Sequence, residues 1–403
     1  MEVKIQSKKK SHTTETIRRK ENADNDTTTL KRIFDFSDIF SNIVGWKFSY
    51  DWKINPKHCF TCLVVLDMWT QFIYSQILFF KNGEYSRFFG VLATYGIGAS
   101  FIKKFWIFVK SYKALAALRH FSFKINRKAD RNMAEKLNRH QLKNFKLCKI
   151  VVLSASLSYA AFTFYPLTQL VFNRKFVSLL PIEIMFLDQT KWSGFIIATA
   201  IVAVTGVWVE LVFFSININF LMAIFNCSTQ VILIEDDFKK LDAFWSNPKT
   251  TNLVERHMFL RNICQKCQDR DKFMDAVKGI FDGPIFYYFC VTYMAQIICL
   301  YEIQMMNWIP GYGFSICGFL EMLLYCIIGT EVSKINERLF YVLTQSKWYT
   351  YDMCSQKIFL DLLNSCMNAK ELSIGPLAPL SVISWIQIVK SIYSYYTFLS
   401  EVV

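Results

Sequence analysis

Apolar residues along this chain gather into long runs separated by polar stretches, and seven of the runs read as membrane-spanning helices. They are Cys59–Phe80, Arg87–Val109 (apolar mainly to Ile102), Phe145–Phe172, Trp192–Ala223, Ile280–Tyr301, Gly313–Val332 and Leu377–Leu399. A helix satisfies its own backbone hydrogen bonds, which a segment in hydrocarbon must do. A short amphipathic stretch, Ile33–Trp52, precedes the first run. Residues 1–32 are polar, without an apolar run or a cleavable signal peptide, and read as a weakly ordered tail.

Two of the polar connections keep helical spacing. Val231, Ile234, Phe238, Leu241 and Phe244–Trp245 recur at intervals of three and four, as do Ile335, Leu339, Val342 and Leu343, then Ile358, Leu362 and Cys366. Residues 224–279 therefore read as extensions of the fourth and fifth spans, and 333–370 behaves similarly. Together they predict a packed layer on one side of the membrane. A peripheral helix lying on the lipid surface is the other reading of such a pattern.

Composition agrees with a membrane protein: 53% of residues are hydrophobic and 17% aromatic, against 19% charged. The net charge of +14 would raise nucleic acid in a soluble chain. Here the basic residues lie between the apolar runs, so they report topology instead. One side carries 34 Lys and Arg in its connections and the other 5. By the positive-inside rule the N-terminus is cytoplasmic and the C-terminus extracellular. That orientation is opposite to a G-protein-coupled receptor, and the chain lacks an Asp-Arg-Tyr in the third span and an Asn-Pro-x-x-Tyr in the seventh. The expected fold is an all-α membrane protein with seven transmembrane helices and a cytoplasmic anchor layer built from extensions of the fourth to seventh.

The C-terminal third carries a set of ordered motifs. Gly329-Thr330-Glu331 ends the sixth span, followed by Asn336-Glu337-Arg338-Leu339 and Ser346-Lys347-Trp348-Tyr349. Leu372-Ser373-Ile374-Gly375, Pro379-Leu380-Ser381 and Val389-Lys390-Ser391-Ile392-Tyr393-Ser394-Tyr395 complete the set. In order and spacing these resemble the insect odorant receptor family over roughly residues 320–400. The sister gustatory receptors end in Thr-Tyr, five apolar residues and Gln-Phe. This chain has Ser394-Tyr395 and then Glu401-Val402, a partial match. The family's obligate coreceptor is longer, with a large insertion between the fourth and fifth spans that is absent here, so the resemblance is to a tuning subunit.

The resemblance implies a non-selective cation channel, assembled as a tetramer with the coreceptor in the plasma membrane of a sensory neuron's cilium or dendrite. It implies a pore lined by the seventh helix and an odorant pocket in the outer half of each subunit. It divides the chain into a tail (1–32), a ligand-binding bundle (33–332), an anchor segment (333–376) and a pore helix (377–403). Ser391, Tyr395, Phe398 and Val402 follow helical spacing along the pore helix, and Phe398 and Val402 fall where the family places its hydrophobic gate. Apolar rings of this kind close a pore by dewetting. Packing against lipid or a neighbouring helix would use the same residues.

Pocket candidates come from the outer halves of four spans: Leu92, Tyr95, Tyr159, Phe162, Ala203 and Phe319. An apolar, aromatic lining with a few hydroxyls suits a small, uncharged, volatile ligand, although ordinary helix packing uses the same residue types. Lys390 lies near the midplane of the seventh span, where a charge needs a partner. Glu321, at comparable depth in the sixth, is the expected one; a Lys snorkelling into a wet vestibule is the other reading. Asp67 and Glu210 are further intramembrane carboxylates of the kind a proton-coupled transporter uses, but no repeated halves or broken helix pairs accompany them.

The remaining chemistry is thin. Two Cys-x-x-Cys pairs, Cys59/Cys62 and Cys264/Cys267, lie far apart and do not make a zinc pattern. The sequons at Asn25 and Asn226 fall on predicted cytoplasmic segments. There is no phosphate-binding glycine loop, catalytic triad or metal-hydrolase motif, so neither an enzyme nor a cofactor or metal is expected, and nucleic acid is not an expected partner.

Overall fold

The computed structural model describes residues 29–126, 131–174, 177–246, 252–306 and 308–402. The polar tail with the Asn25 sequon lies almost wholly outside the described residues. Helix α1 covers 29–44. It is followed by α2 (Pro56–Lys81), α3 (Tyr85–Lys110), α4 (Tyr112–Asn126), α5 (Arg131–Asn173), α6 (Trp192–Ser246), α7 (Leu253–Met306) and α8 (Ile309–Gln345). A 3-10 turn at Trp348–Thr350, α9 (Met353–Met367), a two-residue hairpin and α10 (Val382–Val402) complete the chain.

Helices α2, α5, α6, α7 and α8 are long and apolar enough to cross a membrane. The second and seventh expected spans, α3 and α10, are helices but fall short of that apolarity. Lys103 and Lys104 dilute α3, and Gln387, Lys390 and a Ser/Tyr run dilute α10. With 55 residues, α6 is about 80 Å long, far beyond a hydrocarbon core of about 30 Å. The same holds for the 54 residues of α7. Both must project well past the lipid, as the periodicity of 224–279 indicates.

The projecting ends form a separate packed layer with α9. Val231, Phe238 and Leu241 of α6 meet Leu260 and Ile263 of α7, Leu339 and Leu343 of α8, and Phe359 and Leu362 of α9. Ion pairs cross it: Lys266 with Asp237 at 2.5 Å, and Arg338 with Glu235. Buried Arg270 donates to Asn336 Oδ1 at 2.7 Å. Tyr351 stacks on Trp245 and donates to Asp242 at 2.8 Å. Burial, then that hydrogen bond, pushes the Tyr351 phenol well above its ordinary pKa, so it stays a donor.

A second core runs through the bundle's middle. Phe220 packs on Phe281 and Tyr325, and α1 closes over it with Leu30, Ile33 and Phe34. The stretch expected to be amphipathic is an amphipathic helix over its first part, with Leu30, Ile33, Phe34 and Val44 buried and Lys31, Arg32, Asp35 and Asn42 exposed. Arg119 of α4 ties α1 to α6 through Asp38 (2.6 Å) and Asn219 Oδ1 (3.1 Å).

The last span begins later than the pattern indicates, at Val382 instead of Leu377. Ser373 and Ile374 pair antiparallel with Pro379 and Ala378 across a turn holding Gly375 and Pro376. Gly-Pro and a second proline break the helix that the apolar residues would continue. The hairpin's end lies against α8 at Gly329, where a Cβ would collide with the Leu380 carbonyl. Thr330 Oγ1 accepts the Val382 amide at 3.1 Å, starting α10 beside the Gly329-Thr330-Glu331 motif.

Candidate ligand cavity and pore helix

The bundle half remote from the anchor layer holds a cavity of about 570 Å³, within the range of small-molecule pockets. Its walls come from α2, α3, α5, α6 and α8, with Tyr288 of α7 at the base. Phe72, Phe101, Phe213, Phe314 and Leu324 make most of the lining apolar. Leu179, Leu180, Ile182 and Ile184, on the strap between α5 and α6, cover one side. The strap is held by α2. Ser75 Oγ donates to the Glu183 carbonyl and accepts from its amide, both at 2.9 Å, and Gln71 Oε1 accepts the Met185 amide at 2.9 Å.

Beneath the cavity lies an ion pair different from the expected one. Glu321 of α8 is bound by Lys104 of α3, not by Lys390. Lys104 is 4% exposed, and its ammonium sits 3.9 Å from the Tyr288 ring centroid and 5.1 Å from that of Tyr325. Tyr325 in turn donates to Asn217 Oδ1 at 2.6 Å. A charge in a low-dielectric interior needs this kind of enclosure. Lys390, by contrast, is exposed on α10. The signal for Lys104 was present as two adjacent lysines in an apolar run. Helix phase turns one of them inward and leaves Lys103 outside.

Of the expected pocket positions, Tyr159 lines the cavity. It lies flat on α6, donating to the Ala203 carbonyl at 2.7 Å, where Gly206 leaves room for its ring. Leu92, Tyr95, Ala203 and Phe319 do not border it. Tyr95 packs edge-on against Trp69 at 4.5 Å, and Ala203 contributes its backbone. Phe319 turns its carbonyl to the Trp385 indole of α10 at 3.3 Å, while Leu92 is half-buried elsewhere on α3. Neighbours on the same helices, Thr94, Gly98, Thr205 and Gly318, line the space instead. One residue of offset rotates a side chain by about 100° around a helix, which periodicity alone does not resolve. The Phe162 side chain lies outside the described residues.

On α10, Ser391 shares a 2.6 Å hydrogen bond with Tyr293 of α7, and Tyr396 donates to Gln304 at 2.8 Å. Ser391 therefore faces the bundle. Tyr395 and Phe398 are exposed, at 56% and 62%; the Val402 side chain lies outside the described residues. The twelve cysteines are free thiols, and among the described residues no three metal-ligating side chains converge.

The family model described as 7tm Odorant receptor matches residues 85–393, most of the chain and every wall of the cavity except α2. The chain belongs to the 7tm odorant receptor family. As an odorant receptor family member with several membrane-length helices it is a multi-pass membrane protein of a receptor family, not of a known enzyme family. The fold is similar to that of the insect olfactory receptor OR5 from Machilis hrabei, at TM-score 0.72 and 14% identity over 93% of this chain and 99% of that one. The same receptor in complex with eugenol matches at TM-score 0.71 and 15% identity, over 95% of this chain and 100% of that one.

Proposed function

We propose that this chain is the tuning subunit of an odorant-gated, non-selective cation channel. A small volatile ligand binds in the cavity, and the pore is formed by α10 in a heterotetramer with the odorant receptor coreceptor. The observation that carries the reading is the 570 Å³ apolar cavity, walled by α2 together with helices of the family-matched segment, among them α8, which also packs against α10. A ligand that fits one arrangement of α3, α6 and α8 better than another shifts the population towards it. Trp385 and Tyr293 link those movements to α10. The eugenol complex of the similar Machilis hrabei receptor supports a ligand of this size class.

In the proposed pore, Tyr395, Phe398 and Val402 form the gate candidates. Ser391 acts as a hinge contact to α7, and Lys390 lies in the vestibule. The exposed apolar residues of the anchor layer, Tyr349, Met353, Leu360 and Met367, supply subunit contacts. The anchor layer is cytoplasmic and the C-terminus extracellular, following the distribution of basic residues.

Whole-cell recording across a volatile panel, with the chain expressed alone and with an insect odorant coreceptor, tests the reading. Odorant-evoked cation current is expected only with the coreceptor, and Phe398→Ala is expected to raise the ligand-free leak. Current from the chain alone would instead indicate a gustatory-type homomeric channel. Surface expression without current under any ligand would move the assignment to transport.

A further inference from the structure

Three carboxylates face the cavity: Asp67, Glu210 and Glu321. Among the described lining residues there is no Lys, Arg or His. Glu321 is neutralised by Lys104 from behind the wall, and Asp67 accepts from Gln71 at 3.2 Å. Glu210 is different. Ser156 hydrogen-bonds its carboxyl group, but its Oε1 is buried without a hydrogen-bond partner among the described residues. Tyr159 lies on the same patch of α6, with its hydroxyl committed to Ala203. The cavity thus offers an apolar, aromatic body site bordered by a carboxyl group that no side-chain cation engages among the described residues; its Oε1 is covered in the empty site, so a ligand pairs with it by displacing what covers it.

Resting on the assignment of the cavity as the ligand site, we propose that this receptor is tuned to small aromatic or aliphatic amines, with Glu210 receiving the amino group. The hydrocarbon part fills the space between Phe72, Phe101, Phe213 and Phe314. An amine arriving as the free base takes the Glu210 carboxyl proton, forming an N–H bond as the O–H bond breaks. One arriving protonated meets the carboxylate. Either route ends in the same ammonium–carboxylate pair, whose charge-assisted hydrogen bond is stronger than any a hydroxyl or ester would make there. A buried group left unpaired in the empty site and paired in the occupied one is a source of selectivity against ligands that lack the donor.

The test compares 2-phenylethylamine, 2-phenylethanol and propylbenzene, which share size and shape. Binding is read as ligand-dependent melting of the full chain, in lipid nanodiscs with its co-purifying subunits. In the wild type the amine is expected to bind at least about ten-fold tighter than propylbenzene. Glu210→Gln should abolish that advantage, while Glu210→Asp should retain part of it. Equal affinities for the three ligands, an alcohol as tight as the amine, or an amine preference surviving in Glu210→Gln would each overturn the inference. If Glu210→Gln does not fold, the wild-type ranking decides alone. Amine-selective binding without any evoked current would sink the channel reading and leave this inference standing. Odorant current without amine preference would do the reverse.

Discussion

The anchor layer and the cavity half are built from the same long helices, yet they are held together by different physics. Beyond the lipid, α6, α7 and α8 bury Phe238, Leu343 and Phe359 away from water, and the hydrophobic effect drives that packing. Within lipid the same residue types gain little by leaving hydrocarbon, and close packing and polar contacts must do the joining. The anchor accordingly matches its charges, as in Lys266–Asp237 and Arg338–Glu235. The cavity half instead leaves a void; buried polar atoms without a hydrogen-bond partner occur in both regions, Glu210 Oε1 and Asn217 Nδ2 in one and Trp245 Nε1 and Ser355 Oγ in the other. One end is made to stay fixed, and the other keeps binding energy available for a ligand to release.

Breaking the cavity half at its ion pair should have the largest effect. Lys104→Met leaves Glu321 buried and unpaired, and is expected to cost about 3–5 kcal/mol. The readout is thermal unfolding of the detergent-solubilised protein. The double variant Lys104→Met/Glu321→Leu should recover most of the loss, and failure to recover would mean the pair is more than a charge match. A cut into the anchor comes next. Leu343→Ala empties a fully buried site and should cost about 3 kcal/mol, seen as weakened subunit assembly in size-exclusion profiles with ligand response otherwise intact. The smallest change sharpens the contrast instead. Gly206→Ala drives a methyl group into the Tyr159 ring and should shift ligand affinity by about ten-fold or less, corresponding to overpacking of about 1 kcal/mol. Its effect on unfolding should be small, because a half that already holds a void can absorb the displaced ring. A large loss of stability there would contradict the division drawn between the two regions.

Much of the architecture could be read from the chain because it follows from long-range averages. Apolar runs located the membrane helices, and the spacing of Val231, Ile234, Phe238 and Leu241 located the extension of α6. What stayed hidden depends on single-residue phase and on partners far away in sequence. Lys104 finds Glu321 across 217 residues, and nothing local distinguishes it from Lys103. Tyr159 was legible as an aromatic hydroxyl in an apolar run. Thr205 and Gly206 were not, since their role comes from the ring that lies on them. The start of α10 was misplaced because an apolar count passes over Gly375 and Pro376, where turn chemistry overrides hydropathy.

The separation of Lys104 from Glu321 has a meaning in time as well as in space. Synthesis proceeds at about 5–20 residues per second, so the lysine waits roughly 10–40 s in or near the bilayer before its partner emerges. During that interval the lysine must turn to lipid headgroups or water, because its partner carboxylate does not yet exist. A chain stalled or cleaved before α8 keeps that cation permanently. The pair therefore closes only once α8 is in place, which makes this site of the bundle one of the last to be completed during synthesis.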